Sequence, residues 1–302
     1  MPEREGIVVL GAPRSGTTLL RRILDAHPRI SCPGETNLFA ACDRFLRTDT
    51  NADGLKIGVL SGLSFMGVAE EEAIERLRDL VLSFLRDHAK SQGKPRWAEK
   101  SAFDSFHIPT VERLVETRAH FVCVHRHGLD VALSLQDLCD KAGYYASELM
   151  PYLRRYPRPL EAFTRAWVDV TTELLAFTAR NPDSSVMIRY EDLVSEPNHV
   201  IGKILDFVGE THPSDLLDKA LSSRENLGLG DWKTYGRSSI EPGSIGRWNS
   251  LSRNVASTLG EIANPVLEAT GYETVPVVPR RSQQDAQKGY KMGLMLQHAR
   301  EE

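Results

Sequence analysis

Residues 7–18 read IVVLGAPRSGTT, and the helical pattern LLRRILDA follows directly at residues 19–26. The apolar run at 7–10 predicts a β-strand, and glycines at positions 11 and 16 permit the unusual backbone dihedrals of a tight loop. Backbone N–H groups at the start of a helix point at an anion, with the positive end of the helix dipole behind them. The stretch therefore predicts a strand, a phosphate-binding loop and the beginning of a helix.

The loop differs from the usual triphosphate-binding loop at one position. That pattern is Gly-x-x-x-x-Gly-Lys-[Ser/Thr], in which the lysine reaches the β- and γ-phosphates and the hydroxyl binds Mg²⁺. Here Thr17 occupies the lysine position, and the fixed positive charge is Arg14, within the loop. A single 5′-phosphate without a metal fits this loop better than a metal-bound triphosphate. The alternative interpretation is a glycine-rich turn that caps a core helix, with Arg14 in solvent.

A second motif, RHGLDVALS at residues 126–134, follows the strand-like run FVCV at 121–124. Arg126 is expected at the carboxyl end of that strand, with Ser134 about two turns along the next helix. Ligands of open α/β sheets bind at the carboxyl ends of the strands, so Arg126 and Arg14 are predicted to face one crevice. The alternative is that Arg126 forms a surface ion pair with Asp130 or Glu116.

The two motifs resemble those of the sulfotransferases that use 3′-phosphoadenosine-5′-phosphosulfate (PAPS). Residues 13–18 match the family's Pro-[Arg/Lys]-Ser-Gly-Thr-[Thr/Ser] loop, and residues 126–134 match Arg-[Asp/Asn]-x-x-Asp-Val-x-x-Ser except at His127. The resemblance implies that Arg126 and Ser134 hold the 3′-phosphate, Arg126 as a planar charged fork. It also implies that the 5′-phosphosulfate is bound by the loop residues Arg14, Ser15, Gly16, Thr17 and Thr18.

Two further segments extend the resemblance. The run YEDL at 190–193, with Pro197 after it, is similar to a strand-to-helix connection of the family and places Tyr190 near the adenosine. The segment GSIGRW at 243–248 resembles the family's segment that closes over the 3′-phosphate. The residues that this resemblance assigns to the closing segment are Gly243, Ser244, Gly246 and Arg247, because backbone N–H groups and a cation suit a phosphate lid.

The resemblance also implies the catalytic residues, which are Glu35, Lys100 and Arg14. Glu35, in SCPGET at 31–36, resembles the general base of bacterial and protein-tyrosine sulfotransferases, whereas other branches use a histidine two residues after the lysine. That histidine is absent here, because Ser101 and Ala102 follow Lys100. Lys100 and Arg14 are expected to neutralise the leaving 5′-phosphate. The alternative is that Glu35 only lies next to a helix N-cap and has no catalytic role.

Three other residues are weaker candidates for the base. His107 and His127 are reserve candidates. Glu99 is expected to face away from Lys100, because side chains alternate along a strand, and to brace either the site or a helix.

Composition excludes several classes of partner. The chain has 302 residues, 41% of them hydrophobic, with a net charge of −4, so bulk charge favours neither nucleic acid nor an anionic membrane. No charged and apolar leader pattern opens the sequence, and no run of 18 apolar residues occurs, so we expect a soluble cytoplasmic protein. The four cysteines lack metal-ligand spacing and are expected to be free thiols.

The predicted fold is α/β, a three-layer sandwich with a central, mainly parallel sheet and helices on both faces. The predicted strands are 6–11, 29–33, 95–99, 119–125 and 185–190, with helices at 70–92 and 159–180. Residues 1–278 are expected to form one domain and 279–302 a polar tail or short helix. Two segments without clean periodicity, 136–158 and 222–248, are predicted to be long loops that contribute to the acceptor site.

The predicted activity is transfer of a sulfuryl group from PAPS to a hydroxyl, or an amine, of a small-molecule acceptor. The product of the donor is 3′,5′-adenosine diphosphate, and no metal is needed. Two alternatives stay open at this stage, a P-loop kinase and a catalytically silent nucleotide-binding relative. The acceptor and the oligomeric state are left open by the sequence.

Overall fold

The computed structural model describes residues 4–222, 243–278 and 291–292. Within them, seven strands form a five-stranded sheet and a separate hairpin. The strands are β1 (Gly6–Leu10), β2 (Ile30–Ser31), β3 (Thr48–Thr50), β4 (Lys56–Gly58), β5 (Arg96–Glu99), β6 (Ala119–His125) and β7 (Ser185–Arg189).

The five-stranded sheet has the order β2-β5-β1-β6-β7, and all its pairings are parallel. All five predicted strands are present, within one or two residues of their predicted ends. β1 lies at the centre and is buried along its whole length, as a strand covered on both faces must be. The predicted α/β fold with a mainly parallel sheet is confirmed.

Helices connect the strands and cover the sheet. In chain order they are α1 (Thr17–Ala26), α2 (Leu38–Leu46), α3 (Val59–Phe65), α4 (Glu70–Ser91), α5 (Ile108–Val115), α6 (Gly128–Ala142), α7 (Met150–Arg155), α8 (Pro159–Arg180), α9 (Tyr190–Ser195), α10 (Pro197–Val208), α11 (Leu216–Ser222) and α12 (Arg253–Ala269). In the described ranges, short 3₁₀ turns lie at Ala102–Phe106, Ser147–Leu149 and Arg247–Ser250. The two long helices predicted at 70–92 and 159–180 are α4 and α8.

The sheet separates two hydrophobic cores. Alternation along β6 sends Phe121 into one core, with Trp97 and residues of α4, α5 and α8, and Val122 into the other, with residues of α1 and α10. This arrangement gives the three layers expected from the sequence.

Parallel pairing places three strand ends at one edge of the sheet. Val8 of β1 pairs with Glu99 of β5 and with Phe121 of β6, so the segments that follow these strands leave the sheet on the same side. The loop at 11–16, Lys100 and Arg126 therefore belong to one crevice.

The prediction of a long loop at 136–158 is wrong. Residues 136–142 continue α6, which ends at Gly143 with φ +72°, and residues 150–155 form α7. A glycine in the left-handed conformation just after the last helical residue is a common helix ending. The helix therefore continues to Gly143 although the hydrophobic periodicity of residues 136–142 is weak. The second predicted loop, 222–248, lies outside the described residues except at Ser222, the last residue of α11, and at 243–248.

The predicted tail, 279–302, also lies outside the described residues, apart from Lys291 and Met292. In the described part of the chain, no helix combines the length and the apolar character that crossing a bilayer requires. All four cysteines are buried free thiols, as expected, and Cys123 is a core residue of β6.

Candidate active site

The loop after β1 is anchored to the segment that follows β5. The Gly11 N–H donates to Ser105 Oγ at 2.7 Å, and the same hydroxyl donates to the Gly11 carbonyl at 2.9 Å. A side chain at Gly11 would collide with the Val124 carbonyl, 2.6 Å from an ideal Cβ. The sequence did not predict this anchoring role of Ser105, because a single buried serine carries no local signal.

The loop conformation depends on two residues with positive φ. Gly16 has φ +94°, and a Cβ there would lie 2.2 Å from the ring of Tyr190, so only glycine fits. Arg14 has φ +75°, which is unusual for a residue with a side chain and is the kind of strain found at functional sites. The loop therefore presents Arg14 in a conformation that the surrounding structure must hold.

The structure brings Arg14 and the second motif together. Arg14 Nε donates to Ser134 Oγ at 3.2 Å, and Arg126 Nη1 donates to the Arg14 carbonyl at 3.0 Å. The Arg126 guanidinium lies over the Tyr190 ring, 4.5 Å from its centroid. The 5′ and 3′ halves of the predicted donor site thus share direct hydrogen bonds.

Arg126 is buried rather than on the surface. Its guanidinium is 4.0 Å from the Asp130 carboxylate, while Glu116 pairs instead with Arg78 and Arg118. The alternative of a surface ion pair for Arg126 is therefore wrong.

Two buried polar atoms in this crevice have no hydrogen-bond partner among the described residues. They are Ser15 Oγ, at the loop, and Arg126 Nε. Buried donors are normally paired, so orphaned ones beside a cluster of cations fit a site that receives an anion. The residues present are thus suited to phosphate or sulfate groups.

Lys100 and Glu35 form an ion pair in the crevice. Lys100 follows β5, its side chain is only 1% exposed, and its Nζ donates to Glu35 Oε1 at 2.6 Å and to Thr18 Oγ1 at 3.1 Å. Glu35 keeps 29% of its side chain exposed, so the carboxylate has access to solvent. A carboxylate and an ammonium at the edge of an anion-binding loop can supply a base and a charge for a leaving group.

The segment 243–248 is held against α6. Both Asp130 carboxylate oxygens accept backbone hydrogen bonds at 2.8 Å, one from Gly246 and one from Trp248, and Arg126 donates to the Ser244 carbonyl. Arg247 pairs with Asp137 at 2.9 Å. Residues of the predicted lid thus lie next to Arg126, and Asp130, which the sequence offered only as an ion-pair partner, fixes their backbone.

His127 packs as an aromatic ring. It stacks on Trp248 with centroids 5.1 Å apart and planes 5° apart, and it contacts Tyr272 edge-on. Burial, reinforced by the nearby charges of Arg126 and Arg189, lowers its pKa to about 4, so the ring is neutral at physiological pH. His127 therefore has an evident packing role.

The other reserve candidate, His107, is engaged elsewhere. Its Nδ1 lies 3.0 Å from Asp43, and its Nε2 lies 3.7 Å from Glu148. Both reserve histidines thus have structural partners, whereas Glu35 is the carboxylate that contacts Lys100.

The fold and crevice define an α/β protein with a phosphate-type loop between the central strand of its sheet and a helix. The family model described as "Sulfotransferase family" matches residues 6–214, and the chain belongs to that family. The predicted sulfotransferase activity class and family resemblance are confirmed.

Relatives and solved structures agree with this assignment. A Caenorhabditis briggsae protein provisionally named a protein-tyrosine sulfotransferase is 23% identical over 275 residues, which span 89% of each chain. The nodulation protein NoeE of Sinorhizobium fredii is 24% identical over 88% of this chain and 65% of its own length. The sulfotransferase domain from the curacin biosynthetic pathway shares the fold, with a TM-score of 0.61, 19% identity, and 89% of this chain and 98% of that domain covered.

Proposed function

We propose that this sulfotransferase takes its sulfuryl group from PAPS and uses Glu35 as the general base toward an acceptor hydroxyl. The observation that carries the proposal is the contact of Lys100 Nζ with both Glu35 and Thr18, at 2.6 and 3.1 Å, beside the phosphate-type loop. This contact joins a base, a cation and the start of α1 at one point.

The donor would be held by the residues already assembled in the crevice. Arg14, Ser15, Gly16, Thr17 and Thr18 would bind the 5′-phosphosulfate at the N-terminus of α1. Arg126 and Ser134 would bind the 3′-phosphate, Tyr190 would contact the adenosine, and Gly243, Ser244, Gly246 and Arg247 would close over the 3′ side. The orphaned Ser15 hydroxyl and Arg126 Nε support this assignment, because both donors would gain acceptors.

In the proposed reaction the acceptor oxygen bonds to sulfur as the bond from sulfur to the 5′-phosphate oxygen breaks. Glu35 takes the acceptor's proton, the departing oxygen keeps the electron pair, and Lys100 with Arg14 stabilises its negative charge. Without the donor, the Lys100 ammonium is paired with the Glu35 carboxylate. We expect the anionic donor to compete for this ammonium and so release the carboxylate for its role as base.

The donor site is tested by titration calorimetry without metal. Wild type should bind 3′,5′-adenosine diphosphate at least about tenfold more tightly than AMP, a difference of roughly 1.4 kcal/mol or more, because only the former carries a 3′-phosphate. The Arg126→Ala variant should lose this preference. Equal weak binding of the two nucleotides by wild type would contradict the donor assignment.

The base is tested by transfer of labelled sulfate from PAPS. Glu35→Gln should lower kcat roughly 10²–10⁴-fold while leaving affinity for 3′,5′-adenosine diphosphate nearly unchanged, because the amide cannot take a proton. The His107→Gln variant is the matched control and should retain activity. Full activity in Glu35→Gln would remove Glu35 from the mechanism.

The acceptor assay uses two probe classes. The sequence favoured a small molecule, represented by a simple phenol, whereas the Caenorhabditis briggsae relative is named for a protein tyrosine, represented by a tyrosine-containing peptide. Preference for either probe assigns the acceptor class. Magnesium-dependent ATP turnover without use of PAPS would instead support the kinase alternative, and nucleotide binding without any transfer would support a silent relative.

A further inference from the structure

A second carboxylate, Glu99, lies fully inside the protein next to the ion pair of Lys100 and Glu35. It is the last residue of β5, is 1% exposed, and alternation along the strand turns it to the sheet face opposite Lys100. Burial raises the pKa of Glu99 to about 7, although the hydrogen bond from Ser101 and the charge of Lys100 oppose that effect. Burying a carboxyl group at this desolvation cost requires hydrogen bonds or charges around it that compensate for the lost water.

The contacts of Glu99 lead to the segment that carries Glu35. Ser101 Oγ donates to Glu99 Oε1 at 2.6 Å, and the same Oγ accepts the Asn37 N–H at 2.9 Å. Glu99 thus holds the backbone of Asn37, two residues after Glu35, through the Ser101 hydroxyl.

The held segment adopts a conformation that needs support. Asn37 has φ +55°, in the left-handed region, at the point where the chain turns from β2 into α2. A residue with a side chain in this region costs about 1–3 kcal/mol and persists only where neighbouring contacts fix it. The bond from Asn37 N–H to Ser101 is one such contact, and it orients the backbone immediately after Glu35.

We infer that Glu99 is a positioning residue, which acts through Ser101 to fix the backbone at Asn37 and so aim Glu35 at Lys100. The catalytic part of this inference rests on the proposed role of Glu35 as base. The structural part does not, since it concerns only how firmly the segment is held.

The structural part is tested by hydrogen exchange of the Asn37 amide, followed by NMR. Ser101→Ala and Glu99→Leu should each speed its exchange by roughly tenfold, because each removes a link in the chain of hydrogen bonds. Glu99→Gln keeps one acceptor oxygen and should restore much of the protection. Ser31→Ala is the matched control, because Ser31 is a buried serine of β2 whose hydroxyl has no partner among the described residues.

The catalytic part is tested by a comparison of kcat with donor affinity. Glu99→Leu and Ser101→Ala should lower kcat roughly 10–100-fold through misplacement of the base, while affinity for 3′,5′-adenosine diphosphate stays within about twofold. Arg126 and Ser134 are not touched by these changes, which is why binding should survive.

Unchanged exchange at Asn37 in Ser101→Ala would overturn the inference, and so would a loss of nucleotide affinity as large as the loss of kcat. If Glu99→Leu does not fold, Ser101→Ala decides alone, since it removes only a hydroxyl. Faster exchange at Asn37 in a protein that shows no sulfuryl transfer would uphold the positioning of the segment and count only against the proposed function.

Discussion

Gly16 is the residue at which the loop tolerates the least change. Its φ of +94° and the Tyr190 ring, 2.2 Å from any added Cβ, both oppose a side chain. The Gly16→Ala variant should lose about 1–2 kcal/mol of stability from the left-handed conformation alone. The collision with Tyr190 should add to this loss and should also weaken binding of 3′,5′-adenosine diphosphate.

Gly143 provides the matched control for Gly16. It has φ +72° at the end of α6, yet nothing lies within 4 Å of an added Cβ. Gly143→Ala should therefore show the conformational cost without the collision and should bind nucleotide normally. Chemical denaturation gives both free energies of unfolding, and equal losses in the two variants would contradict the role assigned to Tyr190.

At the residue scale, the sequence predicted which side chains meet in the crevice wherever those residues belong to a short motif. Arg14, Lys100 and Arg126 each follow a buried strand, so their side of the sheet could be predicted without a structure. Ser105 and Tyr272 could not be found in this way. Ser105 bonds to Gly11, and Tyr272 donates to Glu191 at 2.6 Å, and pairings over such separations have no local pattern.

At the scale of elements, one side chain of α6 accepts the backbone hydrogen bonds of the segment 243–248. Asp130 is fully buried and accepts both backbone hydrogen bonds that join this segment to the helix. Asp130→Ala should therefore lower the free energy of unfolding by about 1–3 kcal/mol, because two partly buried N–H groups lose their acceptor. It should also weaken nucleotide binding, since Arg126 contacts the same segment.

The control for Asp130 is Asp137, on the same helix. Its ion pair with Arg247 is partly exposed, and such pairs contribute about 0–1 kcal/mol. Denaturation of Asp130→Ala and Asp137→Ala side by side measures the difference. A loss in Asp137→Ala as large as that in Asp130→Ala would show that the charge of Arg247, rather than the backbone bonds, holds the segment.

Elements were predictable where the hydrophobic period was long and unbroken. α4 and α8, each of 22 residues, and the buried strands of the sheet follow directly from such runs. The hairpin of β3 and β4 was missed, because its residues are largely exposed and carry no alternation of apolar and polar side chains. The 3₁₀ turn at Ser147–Leu149 and α7 were missed because short helical turns between Gly143 and Pro159 resemble a loop.

At the scale of the whole molecule, three histidines couple folding to pH. Burial lowers the pKa of His120, His125 and His127 to about 4 from an ordinary value of 6.5. Below about pH 6.5 these histidines become protonated in the unfolded chain but stay neutral in the folded protein. The free energy of unfolding therefore decreases as pH falls toward about 4. Each contributes up to about 1.4 kcal/mol per pH unit.

His127→Phe should keep the ring stack on Trp248 and remove one of these protons. The difference in unfolding free energy between this variant and wild type should therefore shift in favour of the variant as pH falls through that window. Glu99 acts in the opposite sense, since its raised pKa favours the folded state at low pH, but it cancels in the comparison. His199→Phe, at an exposed position, is the control. An identical pH response in His127→Phe and wild type would contradict the buried neutral state of His127.

The strand order has a consequence for how the protein is made. Gly6 of β1 pairs with Trp97 of β5 and with Ala119 of β6. About ninety further residues must therefore be synthesised after β1 begins before its first partner strand exists. During that interval β1 is an apolar segment without a sheet, which exposes the nascent chain to aggregation and to chaperones. The loop that follows β1 is therefore among the first parts of the active site to be synthesised, yet it takes its final shape only after β6 has emerged.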